Sequence, residues 1–448
     1  MFAMLHGARL RALKAGPAFA GALELASARL GGLNPIRTRM RKLAITRARM
    51  QNTILTLLPA LVLAGDVSAM GSHQRAVERV GRALQLPEAM LVQALMDIRD
   101  NRLVAALERV NALLAIKPDF RLAQLIKGDL LMARARPIST MGAADAPAER
   151  INDLREEARA RLLRYEMQTP KERLPKYLLQ MQPQQRFAIV VDTAKSTLYL
   201  FENRDGTAHY VSDYYITVGK NGTNKSREGD KKTPLGVYHV TSQLPRSQVG
   251  EFYGSGAFPL SYPNEWDERQ GRNGHGIWLH GTPGDTYSRP PRASDGCVVL
   301  TNEDLDDLAK RLQIGLTPVV IADGVEWVDA PVTIGLRAGL TERVERWRRD
   351  WESRNTDQYL QHYARSFATD GMDLPQWASQ KRRVNAAKEW IKVQLSDVSM
   401  FLYPGREDLA VVSFSQDYSS SNLSNKMRKR QYWIKDGGVW KILYEGAA

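Results

Sequence analysis

Apolar residues recur at helical spacing through Ala89–Ile98, Leu103–Ile116 and Leu122–Met132, with Asp100-Asn101 and Lys117-Pro118-Asp119 as the breaks between them. That period predicts consecutive helices packing in pairs across residues 72–133. The pattern then lapses. Pro137, Ser139, Gly142, Ala143, Ala144 and Pro147 give 134–150 the composition of a linker, a charged helix is expected from Ile151 to Met167, and a polar stretch runs on to Arg186. At Phe187 the helical period gives way to short strands, the second of them alternating towards a core. Phe187–Asp192, Ser196–Phe201, Tyr214–Gly219 and Gly236–Val240 read as short strands closed by Gly and Pro turns, the signature of an all-β barrel or sandwich. After a connector the helical period returns, with Leu340, Val344, Trp347, Trp351, Tyr359 and Tyr363 on one side running towards Phe367, and a further helix is expected around Trp390. Strands are expected at Val393–Leu395, Val398–Leu402, Leu409–Tyr418, Lys429–Lys435 and Trp440–Tyr444. Trp347, Trp351 and Trp433 belong in a core on this pattern, since large aromatics dominate buried area.

At 448 residues the chain exceeds one ordinary hydrophobic core. The pattern divides it into 1–69, a basic extension and export signal; 70–133, a helical repeat-like domain; 134–185, linker and helices; 186–322, an all-β domain; 323–337, a connector; and 338–448, an α+β domain. A formal net charge of +14 would point to nucleic acid or an anionic surface. Residues 1–69, however, hold ten Lys and Arg against Glu24 and Asp66, a net +8, which leaves about +6 for everything after. No nucleic-acid partner is therefore expected. The basic run from Met40 to Arg49, the apolar run Ile54–Ala64 and the small residues Val67-Ser68-Ala69 form an export signal, with cleavage near Met70 and initiation more natural at Met40 or Met50. The apolar run is shorter than the ~20 residues a spanning helix needs.

The chemistry concentrates in Gly276-Ile277-Trp278-Leu279-His280-Gly281 and Ala293-Ser294-Asp295-Gly296-Cys297-Val298-Val299-Leu300. Cys297 is the only cysteine, so no intramolecular disulfide forms, and seven scattered histidines leave no structural zinc site. A thiol nucleophile needs an imidazole within reach, to take its proton. Alternation across 275–280 places Trp278 and His280 on one face and His275 on the other, which selects His280 as the base. Gly281 leaves its carbonyl available to orient the ring. Gly296 permits a sharp turn at the nucleophile, where the N–H groups of Gly296 and Cys297 converge on an oxyanion.

These residues resemble the L,D-transpeptidase catalytic (YkuD-type) family, whose signature is His-Gly, a gap, then Ser-His-Gly-Cys followed by apolar, Arg and apolar residues. Asp295 stands in place of the second His, where it tunes the loop, and Val299 in place of the Arg, which removes a cation the family uses near the nucleophile, so substrate anchoring must come from elsewhere. Lys232-Thr233-Pro234-Leu235-Gly236 and Tyr262-Pro263-Asn264 also match family elements, and the resemblance spans about 186–322. It implies attack by Cys297 on the carbonyl of an L-centred residue bonded to D-Ala in a peptidoglycan stem peptide, with His280 as base and then acid, and a thioester resolved by an acceptor. An amine acceptor makes the chain an L,D-transpeptidase, the leading expectation; water makes it an L,D-carboxypeptidase trimming tetrapeptide to tripeptide. Lys231, Arg272, Arg289 and Arg292 are the candidates to meet substrate carboxylates, with Tyr262, Trp278, Ser294 and Asp295 lining the same cleft. Asp295 is expected to be paired with cationic His280, Arg289, Arg292 or another nearby cation or backbone N–H, and so to shape the loop. No cofactor or metal is implied.

The C-terminal pattern resembles the cone-shaped nuclear-transport-factor-like fold, as in carboxypeptidases that set helical cell shape. The helical segment weakly resembles a tetratricopeptide array through Ala105, Ala106, Leu114, Pro118, Gly128 and Ala133, with a helical hairpin bundle equally compatible. Either arrangement suits contact with an envelope protein partner, and homo-oligomerisation stays open. The fold class expected is therefore multidomain: helical, weakly tetratricopeptide-like; all-β catalytic; and α+β cone-shaped. The expected location is the periplasm or cell envelope. A sortase would need a Thr-Leu-x-Thr-Cys strand and a following Arg, both missing here, and a papain-like protease places Cys before His. A non-enzymatic envelope scaffold is the alternative of another class.

Overall fold

The computed structural model describes residues 86–138, 140–142, 148–369 and 371–448. The expected export signal, its cleavage point at Met70, the start of the helical region and linker positions 143–147 lie outside the described residues. Two compact units divide the chain: one takes residues 1–90 and 128–144, the other 91–127 and 145–448. In the first, the Gly142 N–H donates to Asp129 Oδ2 at 2.8 Å. The second carries everything that follows.

Helices run Pro87–Arg99, Leu103–Ile116, Arg121–Met132 and Ala148–Glu166. The break after the first is enforced by Asn101, whose φ of +57° is a left-handed conformation that asparagine tolerates. Leu103–Ile116 buries Ala106, Leu107, Val110 and Leu113, one helical face.

The central domain is built on a five-stranded sheet in the order Thr207–Tyr215, Thr197–Arg204, Phe187–Asp192, Pro318–Ala322, Gly236–His239. Its central strands are apolar on both faces, because both are covered. Ile189, Val191, Leu198, Leu200, Val319 and Ile321 face the layer that carries Ile277, Leu279, Val298, Leu300, Leu305 and Leu308. Their neighbours Ala188, Val190, Tyr199, Phe201, Val320 and Ala322 face the C-terminal domain, in one core with Trp347, Trp351 and Trp433. Alternation along each strand thus serves two cores. A second sheet orders Val298–Val299, Trp278–His280, Gly256–Pro259 and Leu244–Pro245. Val298–Val299 runs parallel to Trp278–His280, with Leu279 opposite Val298 and His280 opposite Val299.

The C-terminal domain packs the helix Ala330–Glu352 on an antiparallel sheet ordered Leu178–Gln180, Ile391–Tyr403, Arg406–Ser420, Leu423–Asp436, Val439–Ala447. Several expectations change here. The first strand of that sheet comes from the stretch expected to be polar and irregular before Arg186, where Tyr177, Leu178, Leu179 and Met181 are buried. The two strands expected at 393–395 and 398–402 are one, with its register shifted between Ser396 and Ser399 and Asp397 at φ +52°. The helix expected around Trp390 is Leu374–Ala386, started by a capping box between Asp373 and Gln376. Trp390 lies beyond it, 49% exposed. The strand expected at Tyr214–Gly219 is two: Thr207–Tyr215 ends early and Val218–Gly219 pairs with Arg292–Ser294. No helix among the described residues is long and apolar enough to cross a membrane.

Candidate active site

The parallel pairing of Trp278–His280 with Val298–Val299 sets His280 opposite Val299, so Cys297, at the entry of its strand, lies level with Trp278, two residues before His280 on the neighbouring strand. His280 is 2% exposed, and its Nδ1 lies 2.7 Å from the Gly281 carbonyl oxygen. A carbonyl only accepts, so Nδ1 carries the proton and Nε2 keeps the lone pair. Burial lowers the imidazole pKa to about 4, the carbonyl contact opposing and the Arg289 charge adding to the shift. The Gly281 backbone is itself held in place, its N–H donating to the Tyr253 carbonyl at 3.1 Å. Asn302 Oδ1 accepts from Ser255 N–H at 2.8 Å while its Nδ2 donates to the Thr282 carbonyl at 3.0 Å, and a Cβ on Gly281 would lie 2.1 Å from that Oδ1.

Cys297 is partly accessible, and its thiol donates to the Gly276 carbonyl at 3.2 Å. Desolvation pushes the thiol up to about 11; the Trp278 N–H, Arg289 and Lys225 pull it down and Asp295 pushes it up. The turn before it is tightly specified. Ser294 Oγ donates to the Cys297 carbonyl at 2.6 Å and accepts from the Gly296 N–H at 3.1 Å. Thr233 Oγ1 donates to the Gly296 carbonyl at 3.0 Å and accepts from Gly219 N–H at 2.8 Å. Gly296 has φ +125°, and a Cβ there would sit 2.7 Å from the Lys232 carbonyl oxygen, so only glycine fits.

The other expected residues divide. The Gly296 N–H, expected to face an oxyanion, is committed to Ser294. Lys231 pairs with Asp295 at 3.4 Å, so Asp295 has a cation partner, though neither His280 nor an arginine. Arg272 is not presented to a cleft: it donates to the buried Asp267 at 3.1 Å. Tyr262 is a core residue that donates to the Asn273 carbonyl at 3.0 Å and packs 6.0 Å from Tyr238. Arg292 is exposed on its strand edge. Arg289 is close enough to lower the thiol, lies 5.6 Å over the Phe252 ring and donates to the Ala293 carbonyl. It supplies the positive charge that Val299 does not. Trp278 and His280 share one aromatic neighbour, Tyr253, at 4.9 and 5.0 Å between ring centroids.

Sequence reading missed Tyr253, Lys225 and Asn302. The aromatic pair Phe252-Tyr253 bounded by glycines was a local signal for the first. Lys225, buried against Asp230 at 2.9 Å, sits in a polar loop with nothing to mark it, and Asn302 reads only as the start of a helix.

A thiol and a neutral imidazole carried by neighbouring strands of a β domain are the parts of an acyl-transfer site. Residues 186–321 match the L,D-transpeptidase catalytic domain, YkuD, and residues 339–446 match the Cds6 C-terminal NTF2-like domain. The structure of Bd1075 from Bdellovibrio bacteriovorus is 31% identical, with 62% of this chain and 98% of that one covered at a TM-score of 0.55. The helical cell shape determining protein Pgp2 from Campylobacter jejuni is 27% identical over 63% of this chain and 97% of its own, with a TM-score of 0.52. No curated protein matches. The chain belongs to the L,D-transpeptidase family, with an NTF2-like domain at its C-terminal end.

Proposed function

We propose that the chain is an exported L,D-carboxypeptidase that trims the peptidoglycan tetrapeptide to the tripeptide and acts in cell shape. The observation that carries this is the pairing of the catalytic and NTF2-like domains, shared along nearly the whole length of Bd1075 and of the cell-shape protein Pgp2. Cys297 Sγ attacks the carbonyl carbon of the L-centred residue while His280 Nε2 takes the thiol proton. The Cys297 N–H faces the developing oxyanion, with the Tyr253 hydroxyl beside it. Collapse breaks the C–N bond, and the imidazolium returns the proton to the departing D-Ala amine. Water then attacks the thioester, giving its proton to His280, and the thiol is re-formed as the tripeptide carboxylate leaves.

Sacculi incubated with the purified protein and resolved as muropeptides test this. Tetrapeptides should become tripeptides with free D-Ala released, and Cys297→Ala should stay folded and inert. New cross-linked dimers in place of tripeptides would assign an amine acceptor and make the chain a transpeptidase. Turnover retained by Cys297→Ala would remove the nucleophile assignment.

A further inference from the structure

The helix Ala148–Glu166 carries two ionic side chains with no part in the chemistry above, Glu157 and Arg161, each 1% exposed. Arg161 Nη2 donates to Glu157 Oε1 at 2.9 Å, and Ser288 Oγ donates to the same oxygen at 2.6 Å. The Arg161 guanidinium lies 3.9 Å from the centre of the Tyr215 ring and 5.2 Å from that of Phe120. Burying such a pair costs several kcal/mol of desolvation per ion, so stability is a poor reason for it.

What the pair touches gives a better one. Ser288 is bonded to Arg289, and the Tyr215 hydroxyl and Thr217 Oγ1 donate to the Arg289 carbonyl at 3.1 and 3.0 Å. The residue that brings positive charge to Cys297 is therefore gripped from both sides, on one by Glu157 through Ser288, on the other by the ring on which Arg161 lies. The turn between Leu103–Ile116 and Arg121–Met132 bears on the same segment. Phe120 packs 4.7 Å from Tyr287, and Arg121 pairs with Asp285 at 2.8 Å.

We infer that the helical segment is part of the active-site frame, with Glu157 and Arg161 as positioning residues that hold the Arg289 guanidinium beside Cys297 through Ser288 and Tyr215. This rests on Cys297 being the nucleophile of the proposed reaction.

The test uses the full chain and the rate of Cys297 alkylation by iodoacetamide at fixed pH, next to tetrapeptide turnover. Loss of one nearby cation should slow alkylation about three- to tenfold in Arg289→Gln. Ser288→Ala, which leaves the Glu157–Arg161 pair intact, should slow it in the same direction by at least about twofold. Glu157→Leu/Arg161→Met, which strands no charge, should do the same. Ser288→Ala/Arg289→Gln should be no slower than Arg289→Gln alone, because Ser288 acts through Arg289. Wild-type alkylation rates in Ser288→Ala, or effects that multiply in the double variant, would overturn the inference. If the Leu/Met variant does not fold, Ser288→Ala decides. Alkylation needs no substrate, so inert wild-type protein on tetrapeptides would count against the proposed reaction and leave this result standing.

Discussion

Removing the imidazole of His280 distinguishes a standing thiolate–imidazolium pair from a neutral pair that ionises only during attack. Burial holds Cys297 at about 11 and His280 at about 4. Seven units between them, at ~1.4 kcal/mol each, put on the order of 10 kcal/mol against moving the proton before substrate arrives. With the thiol at about 11, roughly one in ten thousand is thiolate at pH 7. The geometry agrees, since the thiol hydrogen bond goes to the Gly276 carbonyl. Iodoacetamide needs the thiolate, so its rate with the wild type should climb about tenfold per pH unit from 6 to 9 without a plateau. His280→Ala should change that rate by less than about threefold while turnover of a tetrapeptide falls by about a thousandfold, because the base is needed as sulfur attacks. A flat alkylation profile between pH 5 and 8 that disappears in His280→Ala would show a standing ion pair and refute the reasoning.

The folded-state pKa of His280 lies below the ordinary imidazole value of 6.5, at about 4. Its stabilising contribution is therefore present above pH ~6.5 and lost as pH falls towards 4, on the order of 3 kcal/mol; urea midpoints measured between pH 7 and 4 should fall less steeply in His280→Asn, and parallel curves would count against it. Asp295 and Lys231 are 79% and 50% exposed, and such pairs are worth ~0–1 kcal/mol, so Asp295→Asn should speed Cys297 alkylation by less than about threefold. A tenfold gain would mean the carboxylate is uncompensated. Gly281→Ala should drive Asn302 off Ser255 and Thr282 and lower both melting temperature and turnover, and adding Asn302→Ala should recover part of the melting temperature by relieving the contact; no recovery would place the damage elsewhere. N-terminal sequencing of envelope-fraction protein should find a chain beginning near Met70, and residues 40–69 still attached would contradict the export reading.

Period and local motif settled much of this protein before any coordinates. Helical spacing marked Leu103–Ile116 at both ends, a short apolar run closed by a turn marked Phe187–Asp192, and a lone cysteine after a glycine, downstream of His-Gly, pointed to a thiol site, because these signals lie within a few residues of one another. What escaped was whatever depends on partners far apart in the chain. Four arginines and lysines were equivalent as carboxylate binders until folding put Arg272 on Asp267, Lys231 on Asp295 and Arg289 near the thiol. Leu178–Gln180 looked like part of a linker because its partner strand, Ile391–Tyr403, lies more than two hundred residues on. Glu157 and Arg161 did not stand out among the charges of the helix expected from Ile151 to Met167, since nothing local reveals that Ser288 and Tyr215 will close over them. The protonation states of Cys297 and His280 were likewise beyond sequence. Residue identity sets the intrinsic pKa, but the direction of the shift comes from desolvation, a property of the packed surroundings that only the tertiary structure decides.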